Sequence, residues 1–421
     1  MNRLIRFCLL VSLNLFFIIT ILTGYGNKAA DGVEYYAFVP GFTSSHSIWS
    51  GLGITDDDQV YISVSDHTDQ FAFYHFNPAD KSMDFIGEFD KMVGINFYNW
   101  QGKVHTVLEW DAVRKVFYFG TDAGEDKGGT ILDHPVGYHG GMLCSFDPQN
   151  KLIRILSTPS IFNSVKGLLY SKANDRIGFI MAPEAKMGYY DIKTGKTRDL
   201  GRMNGWHVPR IMMKDKWGNM YSVDAYGYLN MIHHKSGELM RLTLQLPHLA
   251  ETKENILGAG ISAFAMSPDG ERLFAMGNSC NTFFEYRPSK DSVGEIVWWE
   301  ATWGDKNKPY IKSYNSSALA FYKNRLYYAI GGHGSFVNEY GVVWVIEYDI
   351  ETRNKKLVRK LDNSVITECT GSNVLDSKGY IYFGGHGQSL YSQEFSEGGT
   401  VKMPPAKPYL VRFHPDSLNN K

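Results

Sequence analysis

Short runs rich in Val, Ile, Tyr and Phe alternate with polar turns along most of the chain, and one kind of run returns about every fifty residues. The recurring segments are QVYISVS (59–65), KVFYFGT (115–121), RIGFIMA (176–182), GNMYSVD (218–224), RLFAMGN (272–278), RLYYAIG (325–331) and GYIYFGG (379–385). Most follow a turn such as TDDD, KDKWG, SPDGE or LDSKG. Most also precede a second run ending in an aromatic residue: FYHFNP, LCSFDP, GYYDI, FFEYRP, VIEYDI and LVRFHP. β-Branched and aromatic residues bounded by turn formers read as strands, and no long segment carries helical periodicity. Each repeat therefore predicts four antiparallel strands, A to D from inside to outside. The recurring segments supply strand B and the aromatic-ended runs supply strand C.

A four-stranded sheet of this composition cannot bury both of its faces alone. Seven such sheets stacked around an axis cover one another's faces and leave only short edges. The pattern thus predicts an all-β, seven-bladed β-propeller forming a single domain over 31–421. The last repeat ends at YLVRFHP (409–415) with too little chain for a fourth strand, whereas VEYYAFVPGF (33–42) is a spare strand at the other end. The N-terminal strand is expected to close the ring by completing blade seven.

Composition narrows the classes. In 421 residues, 43% are hydrophobic and 14% aromatic, enough for a large core and unlike a disordered chain. Lys+Arg 43 against Asp+Glu 44 leaves no electrostatic reason to expect nucleic acid or an anionic membrane as partner. Arg3 and Arg6 precede an apolar stretch and then small residues up to Ala30, which reads as a signal peptide over 1–30. A secreted or periplasmic protein with no membrane association after cleavage is expected, and a monomer. Removing that segment leaves Cys144, Cys280 and Cys369. An odd number permits at most one disulfide, so the core has to hold the fold.

Propeller geometry then sorts the polar residues, because the ends of strands B and the starts of strands A open on one face. Asp122, Tyr226, Cys280, His333 and His386 fall at B ends; His105, His207, Arg210 and Cys369 fall at A starts. The segments GGHGS (331–335) and GGHGQ (384–388) end two repeats alike, their glycines permitting close approach to a ligand. Cys280, His333, Cys369 and His386 offer two thiolates and two imidazoles, a tetrahedral set for a structural Zn²⁺ if ring closure brings them together. No local pair such as C-x-x-C supports it, and buried cysteines beside loop histidines are the alternative. An inserted loop at 125–141 carries His134 and His139, and NGWHVPR (204–210) carries Trp206, His207 and Arg210. Trp206, with Tyr98 and Trp100, suits stacking on sugars. No phosphate-binding glycine loop, Gly-x-Ser-x-Gly elbow or His-Glu-x-x-His helix is present.

The runs KVHTVLEWD…FYFGT, YHGGMLCSFDP, GYYDIKTGKTRDLG and HVPRIMMKDKWGNMY resemble the seven-bladed propeller polysaccharide lyases, particularly ulvan lyases, and more distantly the oligogalacturonate lyases. The likeness covers blades two to four. It implies β-elimination on an anionic, uronic-acid-containing glycan: a base removes the C5 proton, a cationic group neutralises the carboxylate, and the 4-linked sugar leaves. It implies His105 as base or carboxylate partner, Tyr189 as the proton-transfer tyrosine and Arg210 as the carboxylate clamp; by their place on the same face, Asp122, Trp206, His207 and Tyr226 are expected to meet substrate. Tyr190 is expected in the core. The family often has histidine where Asp122 and Met142 stand, and His139 or His134 is the expected replacement from the inserted loop. A propeller that binds carbohydrate or protein through the same face without catalysis is the competing reading.

Overall fold

A computed structural model describes residues 28–418 apart from 31, 39–40, 43–44, 46, 67–69, 95–100, 124–137, 204–210, 247–259, 278–281, 306–307, 310–314, 332–341 and 388–406. The apolar runs form strands because both of their faces are covered. In blade three, strand C (Lys186–Asp191) sends Tyr189 against Met212 and Met220 of blade four, and Tyr190 against Tyr118 and Leu143 of blade two. The same alternation recurs around the molecule, so that apolar clusters fill the seams between neighbouring blades, from the blade one–two seam at Phe73 and Phe119 to the blade six–seven seam at Val343 and Phe383. Strands D meet solvent on one side, as Lys196–Arg202 and Lys355–Lys360 do, and they carry the charged residues.

Seven four-stranded antiparallel sheets make up the ring. Their innermost strands are Ser47–Ile54, Glu109–Asp111, Ser164–Ser171, Met213–Lys214, Ile261–Met266, Asn315–Tyr322 and Glu368–Leu375. All seven segments expected as strand B are second strands, from Val60–Ser65 in blade one to Ile381–Gly387 in blade seven. Val33–Ala37 pairs antiparallel with Lys407–Phe413 as the fourth strand of blade seven. The ring therefore closes by the N-terminal strand. Lys28–Ala30 adds a fifth strand outside it.

Blade two departs from the regular pattern. Its inner strand is interrupted: Glu109–Asp111 stays in the four-stranded sheet, while Gln101–Lys103 forms a separate ribbon with Asp122–Ala123. Between them, the Gly120 amide donates to Thr106 Oγ1 at 2.9 Å, which holds the irregular residues 104–108 against strand B. Side chains such as Leu52, Val107, Phe264 and Phe321 line a cavity of about 500 Å³. Among the described residues the cysteines are Cys144 and Cys369, both buried. No helix among them is long and apolar enough to cross a membrane.

Candidate functional site

The interruption in blade two places His105 opposite Asp122. A regular ladder would have committed residues 104–108 to backbone pairing. Here the ribbon ends at Lys103 and Asp122, and the His105 side chain turns onto the carboxylate. His105 Nδ1 hydrogen-bonds Asp122 Oδ2, and the two side chains are only 3% exposed.

Blade three contributes the third member. At Gly120 a Cβ would lie 2.3 Å from Val165 Cγ1, so blades two and three approach closely at this point. Strand A of blade three then brings the Lys166 ammonium onto Asp122 Oδ2 and to 3.1 Å from His105 Nδ1. The Lys166 side chain is 25% exposed, which makes it the part of the cluster that reaches solvent. Trp49 of blade one packs on the His105 ring at 4.7 Å between centroids, with the Lys103 ammonium 5.7 Å above the indole.

A buried polar network fixes this frame. Thr121 Oγ1 donates to Gln101 Oε1 at 2.6 Å, Gln101 Nε2 donates to Gly140 O at 3.0 Å, and the Ala123 amide donates to Ser164 Oγ at 3.1 Å. The Tyr138 hydroxyl lies 3.3 Å from Ser164 Oγ, and burial together with the Asp122 charge pushes its pKa up. Burial alone would raise the Asp122 carboxyl. The Lys166 ammonium, then the His105 imidazole and Lys103, outweigh that and hold it well below the usual carboxylate range.

An imidazole tied to a carboxylate through Nδ1 keeps its proton there and directs Nε2 as the base. Lys166 and Lys103 bring positive charge to this carboxylate, and Lys166 is the partly exposed one that can meet an anion. This arrangement can accept a proton at His105 beside a negatively charged group held by Lys166.

Several expected site residues are placed differently. Asp122 is 2% exposed, and its carboxylate meets His105 and Lys166. Tyr189 is not brought to His105. It pairs with Gly178 near the start of strand B, whereas the cluster lies where strands B end. Arg176 covers its ring at 4.6 Å, and its hydroxyl sits against Gly237 of the next blade. Tyr190 is in the core as expected, and so is Tyr189.

The proposed zinc set does not assemble from its described members. Cys369 pairs with Gly385 and packs into the seam with blade six, beside Gly331 and Val343. His386 turns to the other face: the Ile48 amide donates to its Nε2 at 2.9 Å, and Glu368 lies 3.7 Å from its Nδ1. Alternation along the strands separates the two, and among the described residues no group of three or more metal-capable side chains gathers. Cys280 and His333 lie outside the described residues, as do Trp206, His207 and Arg210.

His139 is exposed beside the anchored Tyr138 and Gly140, and Tyr226 is 57% exposed at the tip of the blade four turn on the same face. His386 flanks the cluster through Trp49, with 6.1 Å between ring centroids. Lys166, Lys103 and Trp49 were not anticipated. Lys166 stands two residues into strand A, a position equivalent to the start residues already singled out, and that equivalence is the signal that could have found it.

No family model matches the sequence, and no curated protein matches it. In structure the chain is similar to virginiamycin B lyase from Staphylococcus aureus, with a TM-score of 0.56 at 11% identity over 90% of this chain and 98% of that one. It is equally similar to a catalytically inactive virginiamycin B lyase from Staphylococcus aureus with quinupristin, at a TM-score of 0.55 and 11% identity over the same shares. At that identity the likeness is one of fold.

Proposed function

We propose that this chain is an exported polysaccharide lyase that cleaves a uronic-acid-containing, ulvan-like glycan by β-elimination. The observation that carries the reading is the buried His105–Asp122 pair with the Lys166 ammonium on the same carboxylate. The proton at C5 of a uronate is weakly acidic until the neighbouring carboxylate is neutralised. Lys166 meets that carboxylate. His105, oriented by Asp122, takes the C5 proton; the C–H electrons form the C4–C5 double bond, the C4–O bond breaks, and the departing oxygen takes up a proton from solvent. The solved structures of similar fold are named as lyases, which agrees with an elimination site on this scaffold without specifying a glycan.

The test is incubation of the purified protein with ulvan, pectin fragments and glycosaminoglycans, following the ultraviolet absorbance of the 4,5-unsaturated uronate. Turnover is expected on at least one uronate polymer, and His105→Gln is expected to lower it by about 10²-fold or more with the fold intact. Absence of the unsaturated product on every polymer, with retained glycan binding, would overturn the lyase reading in favour of a binding module.

A further inference from the structure

Phe162 has a φ of 60°, in the left-handed region that bulky side chains disfavour. Its ring is nevertheless 43% exposed, and Ile161 beside it is 64% exposed. Burial does not account for this conformation; the surrounding polar contacts enforce it. The Asn163 amide nitrogen lies 3.1 Å from Ser160 Oγ, 3.1 Å from Ile161 O and 2.8 Å from Glu184 Oε2, and Asn163 Oδ1 accepts from the Glu184 amide at 3.1 Å. The Gly141 amide donates to Asn163 O at 2.7 Å. Gly140, at a φ of 99°, lies so close that a Cβ there would come within 2.2 Å of Ser160 O. The segment 158–163 is thus braced between blades two and three, and two large apolar side chains are held out into water. Strain of this kind persists where surrounding contacts over-determine it, and such places cluster at binding sites.

The segment joins strand D of blade two to strand A of blade three, so it stands on the face where His105 and Lys166 gather. Lys166 is four residues beyond Phe162, which sets their separation along the chain at no more than roughly 14 Å. A short run of linked sugars covers any separation up to that limit. Adjacent exposed apolar side chains in a polar rim mark a contact surface, and an aromatic ring packs well on the apolar C–H face of a pyranose. We infer that Ile161 and Phe162 form a distal subsite that stacks a sugar ring farther along the glycan whose uronate carboxylate meets Lys166. The inference rests on the lyase reading and adds where the polymer lies.

Two variants test it. Phe162→Gly fits the local φ, so its melting temperature is expected to equal or exceed that of the parent; Ile161→Ser probes the neighbouring side chain. Both are expected to raise KM for long polymer by about tenfold, with kcat unchanged and with unaltered kinetics on fragments too short to reach from Lys166. An unchanged polymer KM in both variants, or equal losses on polymer and short fragment, would overturn the subsite while leaving the lyase reading in place. Should the parent protein cleave no polymer, retardation in gels containing ulvan decides: weaker retardation of Phe162→Gly supports the subsite, and equal retardation, or none for the parent, overturns it.

Discussion

At the scale of single residues, the charge state of Asp122 governs the site. Its folded-state pKa lies below the ordinary 3.8 because Lys166 and His105 outweigh burial. A carboxyl depressed on folding adds stability that is fully present above its unfolded value and is lost as the pH falls through the folded one. Asp122→Asn is therefore expected to cost about 2 kcal/mol at neutral pH, below the usual cost of orphaning a buried charge because Lys166 keeps some water. The variant should also show a flatter loss of stability below about pH 4 than the parent. Thermal melts across the acid range would check both. Lys166→Gln is expected to raise KM and lower kcat on uronate polymers, with Lys166→Arg restoring part of each through the retained charge, as steady-state kinetics would read. His105 and Asp122 were legible in the sequence because KVH and FYFGTD fall at repeat-equivalent positions. Lys166 was not, since a lone lysine in SVKGLLY reads like any solvated side chain until two blades meet. Tyr189 lies apart from His105 for a related reason. Period-two alternation correctly put Tyr189 and Tyr190 on opposite faces, but in a stacked blade both faces are interior.

At the scale of elements, the Asp-rich turns seen in the sequence have a common mechanism. Asp215 Oδ1 accepts from the Trp217 and Asn219 amides at 3.0 and 2.9 Å, while its Oδ2 accepts from the Tyr221 hydroxyl at 2.7 Å. Asp376 repeats this with the Lys378 and Tyr380 amides and the Tyr382 hydroxyl, and Asp111 does so with Val113, Arg114 and Tyr118. One side chain thus shapes the A–B turn and pins it to strand B, which is why Asp precedes so many of the recurring runs. Tyr221→Phe is expected to cost about 1.5–3 kcal/mol, the worth of one hydrogen bond to a carboxylate. A lower urea midpoint with an unchanged slope would check it. Turns and B strands were readable because their residue types are dictated locally. The break in strand A of blade two was not, because it depends on Thr106 meeting Gly120 rather than on any breaker in QGKVHTVLEWD.

At the scale of the whole molecule, the candidate site packs against a seam between the two ends of the chain. Trp49 of blade one touches both His105 of blade two and His386 of blade seven, and the Ile48 backbone is held by His386 across that seam. The seam exists only while Val33–Ala37 completes blade seven. That strand buries Val33, Tyr35 and Tyr36, the last with its ring 4.5 Å from Phe76 of blade one. Removing one large buried aromatic costs about 3–5 kcal/mol, so losing the whole strand matches or exceeds the roughly 5–15 kcal/mol by which a domain is stable. It would also bare the edge of Lys407–Phe413 for pairing with other chains. A protein lacking residues 1–30 loses, among the described residues, the outermost strand Lys28–Ala30 and is expected to melt cooperatively near the temperature of the longer chain. A protein lacking residues 1–37 is expected to lose its cooperative melt and to aggregate, and any turnover on uronate polymers should vanish with it, because Trp49 and His386 no longer hold the His105 side of the axis in place. Differential scanning calorimetry of the two truncations separates these outcomes, and a cooperative melt in the shorter one would show that the ring closes without its N-terminal strand.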